Sequence, residues 1–230
     1  MNLPILYEDA DIVAVNKPAG LITHSDGRTK EETSEDWFKE KYLADIDEGS
    51  AEKVGYVHRL DRDTSGVLVF AKNEKAYDFL RKAFHDREVK KTYLAFVYGV
   101  PKEKKGIIDF DIGRSRKDFR LRSAQPKAKG RMRDALTRYE VIGETKDCSL
   151  LRVQPETGRT HQIRVHLKAI NHPIIGDRLY APKHLVALGI KRLGLHSLEI
   201  DLPLPSGSRV TIEAPIPHDL ASAFAQFHNT

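Results

Sequence analysis

Residues 58–66 read HRLDRDTSG and stand between two apolar runs, residues 54–57 and residues 67–71. The apolar runs predict two buried strands, so the loop between them holds two carboxylates and two guanidiniums close to a core. Charges near a core lose free energy by desolvation unless they are paired. Such loops are kept mainly where catalysis or binding uses them, although a cluster of surface ion pairs is the simpler interpretation of this segment taken alone.

The composition indicates a globular protein. Its 230 residues can bury a sizeable core as one large domain or as two closely packed halves, and we take residues 1–230 as a single domain. A hydrophobic content of 40% and a charged content of 31% are typical of folded chains. The sequence lacks both a signal peptide and the roughly 18 apolar residues of a membrane span. The single Cys148 excludes an intramolecular disulfide, and the prediction is a cytoplasmic protein.

Positive charge is concentrated in residues 102–138, here called the basic segment. It contains 13 Lys or Arg against 5 Asp or Glu; Phe110 and Phe119 interrupt it, and Tyr139 follows it directly. Basic side chains interleaved with aromatic ones suit a polyanion such as RNA. A solvated charged face explains the same pattern equally well when the segment is considered alone.

The pattern of apolar residues predicts many short strands and few helices. Ser34 is a candidate cap for a helix through Tyr42, and Asn73 for a helix to about Asp86. Because consecutive strands follow one another on short connections, antiparallel pairing is favoured and the fold class is mixed α+β. Further expected strands cover residues 5–7, 12–16, 91–100, 106–111, 135–142, 149–153, 193–202 and 209–214, with a last helix over 218–227.

A second motif, ETGRTHQIRVH, occupies residues 156–166. A helix that begins near Thr160 and reaches Ala169 would place His161 and Arg164, three residues apart, on one face. A surface helix is the simpler interpretation of this segment alone. A metal site is poorly supported, because His161 and His166 lie five residues apart and no carboxylate lies at helical spacing from them. A kinase catalytic loop is also disfavoured, since no glycine-rich loop precedes residues 58–66.

Together these segments resemble the RluA family of RNA pseudouridine synthases, in the same order along nearly the whole chain. Residues 58–72 are similar to the catalytic motif of that family, and residues 5–20 to its N-terminal motif. Residues 91–95 match its tyrosine motif, and residues 157–166 followed by residues 171–177 match its third motif. The resemblance implies the pseudouridine synthase fold: an α+β domain with a mainly antiparallel sheet, flanking helices and a central active-site cleft.

The resemblance implies three catalytic residues. The essential aspartate of the family falls on Asp61, which would attack the sugar or the base, or assist a sugar intermediate. The basic partner of that aspartate falls on Arg164, which would pair with Asp61 and keep it ionised. The active-site tyrosine falls on Tyr93, which would stack on the uracil and relay the proton lost from its carbon-5.

The resemblance also implies RNA contacts. A uridine within folded RNA has to be flipped out to reach Asp61, and Arg62 would fill the vacated stack or contact the RNA backbone. The other expected RNA or substrate contacts are His58, Arg59, Arg159 and His161. Because no redox, acyl or phosphoryl transfer takes place, we expect neither a cofactor nor a metal ion.

The predicted protein is therefore an enzyme that isomerises uridine to pseudouridine in ribosomal or transfer RNA, acting as a monomer and away from membranes. Many relatives carry a small RNA-binding domain before the catalytic domain, and we expect none here, so RNA capture would rest on the catalytic domain itself. One alternative is a catalytically silent RNA-binding or RNA-folding protein on the same scaffold. A glycosidase that uses Asp61 and Asp63 is a weaker alternative, because residues two apart in a tight loop need not flank one bond.

Overall fold

The computed structural model describes residues 1–25, 27, 30–43, 53–116, 118, 121–124, 128–183 and 186–227. Contacts between Cα atoms divide the chain into two compact units. The first unit comprises Met1–Lys91 and Ser197–Pro215, and the second comprises Thr92–His196 and Ile216–Thr230. Phe119 of the basic segment lies outside the described residues.

Within the described residues the chain forms thirteen strands and four helices. In chain order they are β1 (Ile5–Glu8), β2 (Ile12–Lys17), α1 (Ser34–Tyr42), β3 (Gly55–Tyr56), β4 (Ser65–Ala71), α2 (Glu74–His85), β5 (Lys90–Tyr98), β6 (Lys105–Asp109), β7 (Ile112–Ser115), β8 (Arg122–Ala124), β9 (Ala128–Arg133), β10 (Leu136–Glu144), β11 (Cys148–Pro155), α3 (Gln162–Ala169), β12 (Leu195–Pro203), β13 (Arg209–Glu213) and α4 (His218–Ala225).

The sheet of the first unit is antiparallel, and β4 is one of its inner strands. Strand β2 pairs with β4 from Ile12 opposite Ala71 to Lys17 opposite Gly66, and β1 pairs with the other edge of β2. All seven residues of β4 are buried, which agrees with the strand predicted from the apolar run after the charged loop. Strands β12 and β13 form the predicted closing hairpin. The core of this unit therefore begins directly beyond the charged loop.

Gly66 ends the charged loop at a position where no side chain fits. Its φ is +112°, a backbone conformation that L-residues with a side chain rarely adopt. A Cβ built at Gly66 would stand 2.0 Å from the carbonyl oxygen of Ser197. The glycine thus lets β4 approach β12 closely, and this contact determines where the loop ends.

Helices α1 and α2 begin at side chains that cap them. Asn73 caps α2 as predicted, accepting a hydrogen bond from the backbone N–H of Ala76 (2.9 Å). The prediction of Ser34 as the cap of α1 was wrong by one residue. Thr33 is the cap, and it exchanges hydrogen bonds with Asp36, three residues on, in a capping box.

The larger sheet of the second unit is also antiparallel, in the order β5, β11, β10, β6. Val153 of β11 stands opposite Tyr93 of β5, and Thr137 of β10 stands opposite Ile108 of β6. Together with the sheet of the first unit, this confirms the predicted mixed α+β class with mainly antiparallel strands. No helix among the described residues is long and apolar enough to cross a membrane.

A small three-stranded sheet in the second unit was not predicted. Strand β7 lies in the middle, with β8 and β9 antiparallel to it on either side. The residues involved read IGRS, RSA and AKGRMR, so they lack the alternation of apolar and polar residues by which a half-buried strand is recognised. Tertiary pairing, and not local pattern, produces these strands.

Candidate active site

The charged loop of the first unit connects β3 to β4 and bends at Asp61. The backbone carbonyl of Asp61 accepts a hydrogen bond from the N–H of Thr64 (3.1 Å), which closes a tight turn. Asp61 is partly buried, whereas Asp63 is exposed. Of the two loop carboxylates, Asp61 is thus the one that the protein partly shields from solvent.

Leu60, immediately before Asp61, is bound to the buried hydroxyl of Thr23. The N–H of Leu60 donates to Thr23 Oγ1 (3.2 Å), and that hydroxyl donates in turn to the carbonyl of Leu60 (3.0 Å). Thr23 is 1% exposed and Leu60 is 3% exposed. Hydrogen bonds in such a dry environment are costly to break, so this side of the loop is firmly held.

Arg62, immediately after Asp61, is bound to a buried lysine. The Nζ of Lys17, at the end of β2, donates to the carbonyls of Pro18 (2.8 Å), Leu21 (2.7 Å) and Arg62 (3.0 Å). Lys17 is 0% exposed, and these three acceptors satisfy all three N–H groups of its ammonium. The Arg62 carbonyl also accepts from the N–H of Gly20 (2.9 Å). Asp61 therefore stands between two anchored residues.

The side chain of Arg62 lies on the surface. Its Nε donates to the carbonyl of Gly20 (3.1 Å), and its Nη2 forms an ion pair with Glu31. Roughly half of each charged side chain is exposed, 48% for Arg62 and 55% for Glu31. Exposed ion pairs of this kind contribute only about 0.2–1 kcal/mol, so the Arg62 guanidinium is released at little cost.

Arg59 is exposed beside two stacked rings. One of its terminal nitrogens lies 3.2 Å from Nε2 of His24. The His24 ring stacks on Tyr56, with ring centroids 4.4 Å apart and planes inclined by 12°. Arg59 thus presents its charge at the surface of the first unit, which is compatible with the predicted contact to RNA.

The environment of His58 favours a structural role over the predicted contact with RNA. Its Nε2 accepts a hydrogen bond from the N–H of Val69 in β4 (3.0 Å), and its ring stacks on Phe84 of α2 at 4.9 Å. Burial, which disfavours the charged ring, and the nearby Lys91 ammonium lower the pKa of His58 to about 3. The ring is therefore neutral at physiological pH, and it supplies no charge for a phosphate.

This lowered pKa predicts a loss of stability in acid. An unfolded histidine has a pKa near 6.5, so between pH 6.5 and about 3 the unfolded chain binds one proton that folded His58 does not. The contribution of neutral His58 to the free energy of unfolding is therefore complete above pH 6.5 and declines as the pH falls. Wild-type protein should lose about 2 kcal/mol more free energy of unfolding between pH 7 and pH 5 than His58→Gln, whose amide oxygen still accepts from Val69.

Urea denaturation at the two pH values measures this difference. His218→Gln is the matched control, because His218 is exposed at the start of α4. It should follow the pH dependence of the wild type. If the free energy of unfolding changed equally with pH for wild type and His58→Gln, the ring would not be kept neutral by the fold.

The second unit contains the other predicted site residues. Tyr93 lies in β5 opposite Val153 of β11, and it is 8% exposed. Arg164 lies in α3 and forms a buried, two-pronged ion pair with Asp177: its Nε donates to Oδ2 (2.8 Å) and its Nη2 to Oδ1 (2.9 Å). The side chains of Arg164 and Asp177 are 7% and 0% exposed. One edge of the guanidinium is thereby held in a single orientation.

The carboxylate of Asp177 is positioned by backbone N–H groups that follow it in the chain. Its Oδ1 also accepts from the N–H groups of Leu179 and Tyr180, both at 3.0 Å. The same carboxylate thus holds the turn after it and orients Arg164. Asp177 ends a segment that resembles a family motif, but the sequence alone indicates no role for it.

Tyr180 connects Arg164 to His161 and to the small sheet. Its ring lies 5.1 Å from the guanidinium carbon of Arg164, within range of a cation–π interaction. Its hydroxyl accepts from the backbone N–H of Arg122 (2.9 Å) and lies 2.9 Å from Nδ1 of His161. Nothing in the sequence pattern pointed to Tyr180, because only the fold brings it under α3.

The start of α3 differs from the prediction. The helix begins at Gln162, and the residue at its N-cap position is His161, in the left-handed conformation with φ of 57°. No side-chain hydrogen bond caps this helix, and it begins two residues after Thr160. His161 and Arg164 are nevertheless both next to Tyr180, as the predicted spacing on one face requires.

Arg159 lies just before α3 and is bound to Asp134. Its Nε donates to the Asp134 carbonyl and its Nη2 to the Asp134 carboxylate, both at 2.9 Å. Its own backbone N–H donates to the side chain of Gln162 (2.9 Å). Among the described residues, no three His, Cys, Asp or Glu side chains are grouped closely enough to hold a metal ion.

Sequence comparisons with known proteins show which family the chain resembles. Residues 11–169, which include parts of both units, match the family described as RNA pseudouridylate synthase. A Mycobacterium bovis protein described as an uncharacterised RNA pseudouridine synthase is 42% identical over 233 residues, covering 96% of this chain and 72% of that protein. The dual-specificity RNA pseudouridine synthase RluA of Vibrio cholerae is 37% identical over 198 residues, covering 86% of this chain and 76% of that protein.

Solved structures give the same result. The human RNA pseudouridylate synthase domain containing 4 has a TM-score of 0.78 and 25% identity, over 98% of this chain and 93% of that one. The human RNA pseudouridylate synthase domain containing 1 has a TM-score of 0.76 and 26% identity, over 96% of this chain and 86% of that one.

Proposed function

Since the chain belongs to the RNA pseudouridine synthase family, a family of isomerases, we propose that it converts specific uridines to pseudouridine in ribosomal or transfer RNA, with Asp61 as the catalytic carboxylate. The observation that carries the proposal is the anchoring of the loop on both sides of Asp61, by Thr23 and by Lys17. Catalytic groups act best when the protein holds them in one position.

The proposed reaction moves one bond of the uridine. The bond between ribose carbon-1′ and ring nitrogen-1 breaks, the uracil turns, and carbon-5 forms a new bond to carbon-1′. The proton on carbon-5 is then lost and nitrogen-1 gains one, so substrate and product are isomers. A carboxylate at Asp61 can attack the sugar, attack the base, or stabilise a sugar intermediate, and all three routes remain in the proposal.

We propose that Arg164 orients and pairs with Asp61 and that Tyr93 stacks on the uracil. The support for both roles is the resemblance of residues 91–95 and 157–166 to the corresponding family motifs. The ion pair with Asp177 uses Nε and Nη2 of Arg164, so it leaves Nη1 out of that contact. An arginine suits this task because its charge does not titrate near neutral pH.

The target uridine is proposed to flip out of its stack, with Arg62 entering the vacated space. The Arg62 guanidinium would first have to leave Glu31, which costs little because the pair is exposed. Arg59, Arg159 and His161 remain proposed contacts to RNA or substrate. A single catalytic domain made of both units, a monomeric state and a cytoplasmic location also remain predictions.

Tritium release tests the proposed activity. Ribosomal and transfer RNA carrying tritium at carbon-5 of uracil should release it to water in a time-dependent manner, because every turnover removes that hydrogen. The two RNA classes are assayed separately, and the one that releases tritium identifies the substrate class. Tight, salt-sensitive binding to both RNAs without any release would instead indicate the silent RNA-binding protein.

A further inference from the structure

The second unit contains a cavity of about 450 Å³ whose wall is dominated by arginine. Strands β7, β8 and β9 form one side of it, and the loop before α3 forms the other. We call it the arginine cavity, after the five side chains that line it: Arg114, Arg122, Arg131, Arg133 and Arg159.

The positive charge in this cavity is largely uncompensated. Among the described residues, an acidic partner is found only for Arg159, which pairs with Asp134. No carboxylate lies among the cavity-lining residues of the described chain. Four guanidiniums gathered without counter-charges repel one another, so the arrangement favours a ligand that brings negative charge.

The described basic residues of the basic segment on the larger sheet behave differently. Its members on the larger sheet are already neutralised: Lys105 pairs with Glu140 (2.8 Å) and Arg138 with Glu156 (2.5 Å). Among its described residues, the basic segment therefore has an ion-paired part on β6 and β10 and, around the arginine cavity, four arginines for which no acidic partner is found. These four arginines are the ones that an external anion could neutralise.

The shape and chemistry of the cavity fit a nucleic-acid backbone. Its volume lies within the range of about 300–1,000 Å³ that binds organic ligands, so it exceeds what one inorganic phosphate needs. Guanidiniums bind phosphate oxygens in a two-pronged manner. No aromatic side chain lies among its described lining residues, so it offers no platform on which a base would stack.

Glycine backbone opens the wall further. A Cβ built at Gly130 or Gly158 would have no atom within 4 Å, so at both positions the main chain borders empty space. Gly130 has a φ of +78°, which a larger residue rarely adopts. Phosphate oxygens can therefore approach the backbone there.

The cavity is also connected to a proposed catalytic residue. The backbone N–H of Arg122, in the cavity wall, donates to the Tyr180 hydroxyl (2.9 Å), and the Tyr180 ring lies against the guanidinium of Arg164 (5.1 Å). One tyrosine thus links the strand that carries Arg122 to the helix that carries Arg164.

We propose that the arginine cavity binds consecutive phosphates of the substrate RNA and reads no base. The proposal rests on the proposed function, since it takes the substrate to be RNA. In this proposal Arg114, Arg122, Arg131 and Arg133 supply the part of the RNA affinity that does not depend on base sequence. Bond breaking at the uridine does not require them.

The test compares two double variants with the same loss of charge. Arg131→Gln with Arg133→Gln removes two cavity arginines, and Arg138→Gln with Arg152→Gln removes two ion-paired arginines on the larger sheet. Binding of a ribosomal or transfer RNA transcript is measured across a salt series. The cavity variant should raise Kd at least about tenfold and flatten the slope of log K against log salt by about 1 for each lost phosphate contact.

The other measurements separate this proposal from its alternatives. Single-turnover tritium release at saturating RNA should stay within about twofold of wild type for the cavity variant, because the affected step is binding. Replacing Arg131 and Arg133 by lysine should keep the salt slope. Equal Kd values and equal salt slopes for the cavity and control variants would overturn the proposal. Inorganic phosphate at millimolar concentration would also overturn it if it displaced bound RNA as strongly as competing RNA does. An enzyme that binds RNA through the cavity but releases no tritium would contradict only the proposed function.

Discussion

Replacing Asp61 by asparagine is expected to lower tritium release by at least about 10³-fold, the scale on which loss of a catalytic group acts. Asparagine has the size and polarity of aspartate, but it neither attacks a sugar or base efficiently nor carries the charge that stabilises a cationic intermediate. The backbone carbonyl of Asp61, which closes the turn of the loop, is unchanged by this substitution, so the variant should keep the native fold.

The control for this variant is Asp63→Asn, in the same loop. Asp63 is exposed, so removing its charge should leave tritium release within about tenfold of wild type. RNA affinity should stay within about threefold for both variants. Equal tritium release by Asp61→Asn and wild type would remove Asp61 from the mechanism, and equal losses at both positions would favour a mechanism with two carboxylates.

Replacing Asp177 by asparagine is expected to destabilise the protein by about 3–5 kcal/mol, because it leaves the buried Arg164 guanidinium without this counter-charge. The amide can accept one of the two hydrogen bonds that the carboxylate now accepts from Arg164, but it cannot balance the charge. Tritium release should also fall, mainly in kcat, since Arg164 would lose the contact that orients it. Chemical denaturation and single-turnover kinetics measure the two effects.

An ion pair elsewhere in the second unit provides the matched control. Asp219 accepts from Nε and Nη2 of Arg192 at 2.7 and 2.9 Å, in the same two-pronged geometry as the Asp177 pair. Its side chain is 56% exposed where that of Asp177 is 0% exposed, so Asp219→Asn should cost only about 0.2–1 kcal/mol. Equal losses of stability for the two variants would show that burial does not govern the Asp177 pair.

The predicted strands and helices were right where local pattern and tertiary structure agree. The apolar run at residues 67–71 became the fully buried β4, and Asn73 caps α2 as predicted, because each depends on residues close in sequence. The prediction of the α1 cap was wrong by one residue, because two residues that can cap a helix are adjacent there. Thr33, and not Ser34, caps α1, since Asp36 stands three residues after Thr33 and completes the capping box.

The sequence proposes candidate site residues but does not reveal their surroundings. The motifs singled out Asp61 and Arg164, and the stretch around Lys17 was noted without a role. A lysine that donates to three carbonyls looks the same in sequence as one in water, because its acceptors include Arg62, 45 residues away. The same holds for His58, because its pKa is lowered by burial, which sequence alone does not reveal.

Residue order alone was enough to predict the family and the α+β class and to propose Asp61 as the catalytic carboxylate, because motifs and apolar periodicity are properties of neighbouring residues. Only folding decided which charges are buried, paired or left for a ligand. The burial of Asp177 with Arg164, the anchoring of the charged loop by Lys17 and Thr23, and the gathering of arginines around one cavity all join residues far apart in the chain. Desolvation and charge pairing depend on distance in space, which is why these features appear only in the tertiary structure.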